Sequence, residues 1–82
     1  MIDVLYFAWL RERIGLPKEA VKTSASTVEE LIAELREKSE AHQLAFSDVS
    51  AVRVAVDQEL TDFDASIAEA REVAFFPPMT GG

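Results

Sequence analysis

Hydrophobic and polar residues alternate with a period of two at the start of the chain. Ile2, Val4 and Tyr6 fall on one side, with Asp3, Leu5 and Phe7 on the other, so Ile2 to Phe7 predicts a first strand. Arg11-Glu12-Arg13-Ile14 leads to Gly15, with Pro17 soon after, a punctuation that predicts a turn with at most a single helical turn before it. Lys18 to Thr23, centred on Val21, predicts a weak second strand in a hairpin with the first. The period then changes. Thr27-Val28-Glu29-Glu30 is a capping box with Thr27 as N-cap, and Val28, Leu31, Ile32 and Leu35 follow on one helical face. That helix is expected to reach Ser39, with Glu34 and Lys38 as a favourable i,i+4 pair. Ala41 to Phe46 predicts a short second helix, with His42 on its surface.

Period two returns at Ser50 to Val56, where Val52, Val54 and Val56 point inward. Asp57-Gln58 predicts a turn into a short strand at Glu59 to Thr61. Phe63 and Ile67 are expected to anchor an irregular connection, and Val73 to Phe76 forms the last strand. Pro77-Pro78 ends it, because proline donates no ladder hydrogen bond. A hairpin, a crossing helix and further strands describe an α+β roll: a mixed sheet, one main helix across one face, first and last strands adjacent at the centre. This is the β-grasp arrangement. Residues 1–76 are expected to form this domain, and 77–82 an extended tail.

Composition narrows the chemistry. The 82 residues suffice for one domain. There is no cysteine, which excludes disulfides, thiolate metal sites and cysteine nucleophiles, and a lone histidine excludes multi-histidine metal sites. No metal site is expected. A net charge of -7 argues against nucleic acid and anionic membranes as partners. Met1 leads into an apolar run without a basic region, and the apolar runs fall well short of the roughly 20 residues that cross a bilayer, so a cytoplasmic protein is expected. Asp62 and Asp64 have no accompanying pocket signal, and the acidic face of the main helix is read as solvated.

The last ten residues, VAFFPPMTGG, carry no charged side chain. After Pro77 and Pro78 the chain continues through Met79, Thr80 and Gly81 to Gly82, about 20 Å from Pro77 if fully extended. Such a tail can enter a narrow channel of another protein, and two glycines let the backbone pass where side chains would not. Its only reactive group is the Gly82 carboxylate, ionised at neutral pH and a poor electrophile until activated, for example as an acyl-adenylate. Sulfur attack on that anhydride would leave a thiocarboxylate, a strong sulfur nucleophile that needs no cysteine in the carrier. A Gly-Gly end alone means little, since a disordered end or a cloning scar can carry one. Its position after an uncharged Phe-Phe-Pro-Pro exit from a central strand gives it weight.

By alternation, Phe7, Ala55, Ala74 and Phe76 share the face away from the helix, with Leu60 on the neighbouring strand. An aromatic cluster left open there marks a partner surface; the competing arrangement tucks Phe7 and Phe76 under the connection from Thr61 to Ala70. Trp9 is expected either at the rim of that surface or as cover for the core.

Val4-Leu5-Tyr6-Phe7-Ala8 with Arg11-Glu12, Ala55-Val56-Asp57-Gln58, and Val73 to Gly82 together resemble the family of small, sulfur-carrying subunits of molybdopterin synthase. The resemblance covers nearly the whole chain, and its ending is the most specific part. It implies a β-grasp fold and a Gly82 carboxylate adenylated by an activating enzyme that consumes ATP, with no cofactor bound to the carrier itself. It further implies conversion to a thiocarboxylate with sulfur from a donor protein. Insertion of Pro77 to Gly82 into a large subunit, where sulfur passes to a cyclic pyranopterin precursor, would follow. The family complex is a heterotetramer, and the comparison makes Phe7, Arg11, Leu60 and Phe76 partner contacts. Two positions depart from the pattern: Asp57 stands where Asn is usual, and Glu69-Ala70-Arg71 replaces an Asp-Gly-Asp-like turn. Three readings remain open: this carrier, a carrier for thiazole synthesis or a protein modifier, and a ubiquitin-like interaction module without terminal chemistry.

Overall fold

The computed structural model describes residues 1–78. Five strands form one mixed sheet: β1 Ile2–Tyr6, β2 Lys18–Val21, β3 Arg53–Val56, β4 Glu59–Thr61 and β5 Glu72–Phe76, ordered β2-β1-β5-β3-β4. β1 and β5 lie parallel at the centre, with Val4 opposite Val73 and Tyr6 opposite Phe75. The hairpin β1–β2 and the pairs β3–β5 and β3–β4 are antiparallel. This is the α+β, β-grasp arrangement that the order of elements predicts.

Helix α1 spans Ala8–Ile14, α2 Val28–Arg36 and α3 Glu40–Ala45, and a 3-10 turn covers Val49–Ala51. α1 is two turns long, where the sequence predicts a turn. Its start gives little local signal, since Phe7 supplies no side-chain cap and Ala8 sits at φ 54°. Its end is conventional: Gly15 takes φ 89° and its N–H donates to the Arg11 carbonyl at 2.8 Å.

α2 begins at the predicted cap, where Thr27 Oγ1 accepts from the Glu30 N–H at 3.2 Å. The reciprocal arm reaches one residue further than a standard capping box, because the Glu30 carboxylate accepts from the backbone of Ser26 rather than Thr27. The N–H groups of Val28 and Glu29 donate to the carbonyls of Ala65 and Phe63, so the irregular connection closes the helix N-terminus. α2 ends at Arg36 rather than Ser39, with Glu37 as C-cap. Lys38 is therefore off the helix, and the expected Glu34–Lys38 pair does not form. Glu34 instead accepts from the Thr23 hydroxyl at 2.6 Å, and Lys38 pairs with Glu19 at 3.7 Å.

The core lies between sheet and helices. Val4, Leu10, Val28, Leu31, Leu35, Phe46, Val52, Val73 and Phe75 are fully buried. Phe46 meets Phe75 edge-on with ring centroids 5.0 Å apart, and Tyr6 stacks near Phe75 at 6.4 Å. Aromatic pairs of this kind add about 0.5–1.5 kcal/mol beyond the area they bury. Arg36 donates to the Phe46 carbonyl, fixing the end of α3 against α2. The predicted strand from Ser50 starts only at Arg53, because Val49–Ala51 closes a 3-10 turn whose Asp48 cap accepts from the Ser50 N–H. No helix of the described residues is long and apolar enough to cross a membrane.

Candidate functional site

Parallel pairing of β1 with β5 sends both strands out at the same end of the sheet. Phe7 is held there by its N–H donating to the Phe75 carbonyl at 3.1 Å. On the other flank, Arg53 of β3 is registered against Phe76. Pro77 and Pro78, both half-buried, follow with no N–H to extend the ladder. The chain thus leaves the middle of the sheet between two fixed neighbours. Met79, Thr80, Gly81 and Gly82, expected as the working end, lie outside the described residues.

Register sorts the side chains of the outer face into rows. Phe7, Phe76 and Arg53 lie nearest the exit; Lys18, Leu5, Ala74, Ala55 and Leu60 form the middle; Ala20, Asp3 and Glu72 lie furthest away. Phe7 is 45% exposed and Leu60 72%. Phe76 is half-buried and Ala74 is 8% exposed. The connection after β4 does not cover them. Its Ala65 and Phe63 carbonyls face the start of α2, and the Ile67 N–H donates to the Ser26 carbonyl at 2.9 Å. The arrangement with Phe7 and Phe76 tucked beneath that connection is therefore incorrect, since the connection is committed to the helix side. Leu60 extends the apolar strip to the sheet edge. Arg11 lies exposed on α1, the element that follows Phe7 directly. Trp9 is half-buried against the core, with the Arg13 guanidinium 5.4 Å from its ring centre.

Turn geometry around this face rests on Asp57. Asp57 and Gln58 take φ 49° and 71°, the left-handed pair that a two-residue hairpin requires. Asp57 Oδ1 also accepts from the N–H groups of Arg71 and Glu72, each at 3.0 Å, and so caps the entry to β5. The non-glycine residues at positive φ among those described are Ala8, Asp57 and Gln58, so Glu69-Ala70-Arg71 turns without the left-handed geometry that would call for glycine.

One polar cluster has no counterpart in the sequence reading. His42, expected on the surface, is only 6% exposed. Its Nε2 lies 2.7 Å from Glu19 Oε2, and its Nδ1 lies 2.7 Å from Ser39 Oγ. The Tyr6 hydroxyl donates to the same Glu19 oxygen at 2.7 Å. Burial, then the hydrogen bond to Glu19 and its charge, push the Tyr6 hydroxyl far above its ordinary range, so it remains a donor at any working pH. Within the described residues, the cluster ties β1, β2 and α3 together and leaves no buried side-chain polar atom unpartnered.

A family model described as the ThiS family matches residues 4–82. Over 82 residues, and all of both chains, the sequence is 42% identical to the molybdopterin synthase sulfur carrier subunit of Escherichia coli (strain K12). It is 34% identical over the same extent to the protein of that name from Haemophilus influenzae. Among solved structures it resembles SAMP1 from Haloferax volcanii with a TM-score of 0.74, covering 99% of this chain and 98% of that one. At 24% identity that last likeness is one of fold.

Proposed function

The chain belongs to the ThiS family, and we propose that it is the sulfur carrier subunit of a molybdopterin synthase, with the Gly82 carboxyl as the group that carries sulfur. The observation that carries this reading is the identity to two such subunits over the whole length of each. The geometry supports it: a central strand delivers the chain to one end of the sheet, beside an uncovered apolar strip.

In the proposed cycle an activating enzyme joins the Gly82 carboxylate to AMP from ATP, releasing pyrophosphate. The outer sulfur of a persulfide on a sulfur donor protein then attacks the acyl carbon and expels AMP. A thiol cleaves the S–S bond of the resulting acyl disulfide, forming a disulfide with the donor's sulfur. The resulting thiocarboxylate enters the large synthase subunit and gives its sulfur to a cyclic pyranopterin precursor. The carrier contributes reach and a fixed docking face, and the partners contribute the catalytic pockets. Phe7, Leu60 and Phe76 dock the large subunit, with Arg11 at the rim, in a heterotetramer. Pro77 and Pro78 start the tail in an extended form. The carrier binds no cofactor in this scheme, and ATP is consumed on the activating enzyme.

Removal of Gly82, or addition of one residue after it, tests this directly. Either change displaces the acyl carbon by about 3.5 Å along its channel. Both variants are expected to fold normally and to abolish precursor conversion by the reconstituted subunits. Turnover at the wild-type rate without Gly82 would refute the mechanism.

A further inference from the structure

The charges borne by the strands are sorted by position. Apart from Glu19, which is part of the polar cluster with His42, the strands carry Asp3, Lys18, Arg53, Glu59 and Glu72. Arg53 lies at the end where the chain exits, registered with Phe76, and Lys18 lies in the middle row, registered with Leu5. Asp3 and Glu72 lie at the opposite end of that face, registered against each other, whereas Glu59 is registered with the inward-facing Val56 and belongs to the helix side. Asp57, in the turn that follows β3, adds a third carboxylate at that end. In a chain of net charge -7, the strands of the outer face thus carry an arginine beside the tail and carboxylates at the far end.

Two local arrangements keep this polarity. The Arg53 guanidinium is held beside the exit by donating from Nη1 to the carbonyls of Ser50 and Val52, at 3.2 and 3.1 Å. Asp3 and Glu72 are registered neighbours on adjacent strands, where like charges destabilise a sheet. The Lys18–Asp3 pair, at 3.6 Å with both side chains about half exposed, offsets little of that. A cation from outside would relieve the repulsion.

We propose that this polarity fixes the orientation in which the large synthase subunit docks. The subunit would present a carboxylate opposite Arg53 at the mouth that receives the tail, and a basic group opposite Asp3 and Glu72. This inference rests on the carrier reading above. The apolar strip of Phe7, Leu60 and Phe76 supplies area without direction, whereas a charge dipole along β5 distinguishes the productive pose from its reverse. A face polarised in this way also steers encounter, raising association rates by roughly 10–1,000-fold where the partner is complementary.

The test is a double reversal, Arg53→Glu with Glu72→Arg, which leaves net charge unchanged and inverts only the polarity. Association with the purified large subunit is measured by stopped-flow and calorimetry, with a melting curve for each variant. The double variant is expected to associate at least tenfold more slowly and to bind at least tenfold more weakly. The difference should shrink in about 1 M salt, where charges are screened within roughly 3 Å. Arg53→Gln and Glu72→Gln, milder changes that retain most packing, should each show a smaller loss of the same sign. Wild-type binding by the double variant at low salt overturns the proposal. Phe7→Arg, measured alongside, separates this from the broader reading: if it too binds normally, the docking face itself is wrong, and if it alone is defective, only the polarity is.

Discussion

His42 Nε2 lies 2.7 Å from Glu19 Oε2 across 23 residues of sequence, and this contact joins the edge strand β2 to α3. Burial alone would raise the Glu19 pKa. Hydrogen bonds from His42 and Tyr6, with the charges of His42 and Lys38, outweigh it, so the carboxyl ionises below its ordinary value of 4.5. A carboxyl whose pKa is lower in the folded chain adds stability above its unfolded value and loses it as pH falls through the folded one. Glu19→Gln should therefore be less stable than wild type near neutral pH. The gap between them should narrow as pH drops below about 4.5. Melting temperatures of both proteins from pH 7 to 3 check this, and a constant gap would show that the Glu19 contact is not linked to protonation.

Asp57 holds two turns at once, through its own φ of 49° and through Oδ1 on the N–H groups of Arg71 and Glu72. Asp57→Ala should cost about 1–2 kcal/mol, the magnitude of a lost cap. Asp57→Asn, which keeps the acceptor oxygen and tolerates the left-handed region, should cost much less. Urea denaturation of the two variants measures the difference.

Val54 is 1% exposed at the centre of β3, between Thr61 of β4 and Phe75 of β5. Val54→Ala should lower stability by about 1–3 kcal/mol through the cavity it leaves. An unchanged denaturation midpoint would contradict the packing described for this strand.

Phe7→Arg should weaken binding to the large subunit by about 2 kcal/mol or more, as expected for an aromatic at the centre of an interface. Its melting temperature should change little, because Phe7 is already 45% exposed. Calorimetric titration beside a melting curve separates a lost contact from a lost fold.

The elements legible in the sequence were those whose signal is local. Val52, Val54 and Val56 alternate, Thr27 and Glu30 bracket a helix start, and Pro77-Pro78 ends a strand, each within a few residues. Alternation also identified the outward set Phe7, Ala55, Ala74 and Phe76. What escaped depended on contacts distant in sequence. Nothing adjacent to His42 indicates that Glu19 will reach it, and its polar neighbours Glu40 and Gln43 suggest solvent. The Glu34–Lys38 pairing failed because the helix ends two residues before Lys38. α1 was hidden by an N-terminus without a side-chain cap. The charge order along the sheet emerges only once β1, β5 and β3 are placed in register.

The central claim is that Gly82 carries sulfur, and intact mass spectrometry of the chain isolated from its native host tests it most directly. A population heavier by the difference between one sulfur and one oxygen atom is expected, with fragmentation placing the change on Gly82 and alkylation of the thiocarboxylate removing it from the unmodified pool. A chain found only with an ordinary carboxylate at Gly82, in cells that hold the activating enzyme and the sulfur donor but lack the large subunit that would consume the thiocarboxylate, would contradict the account.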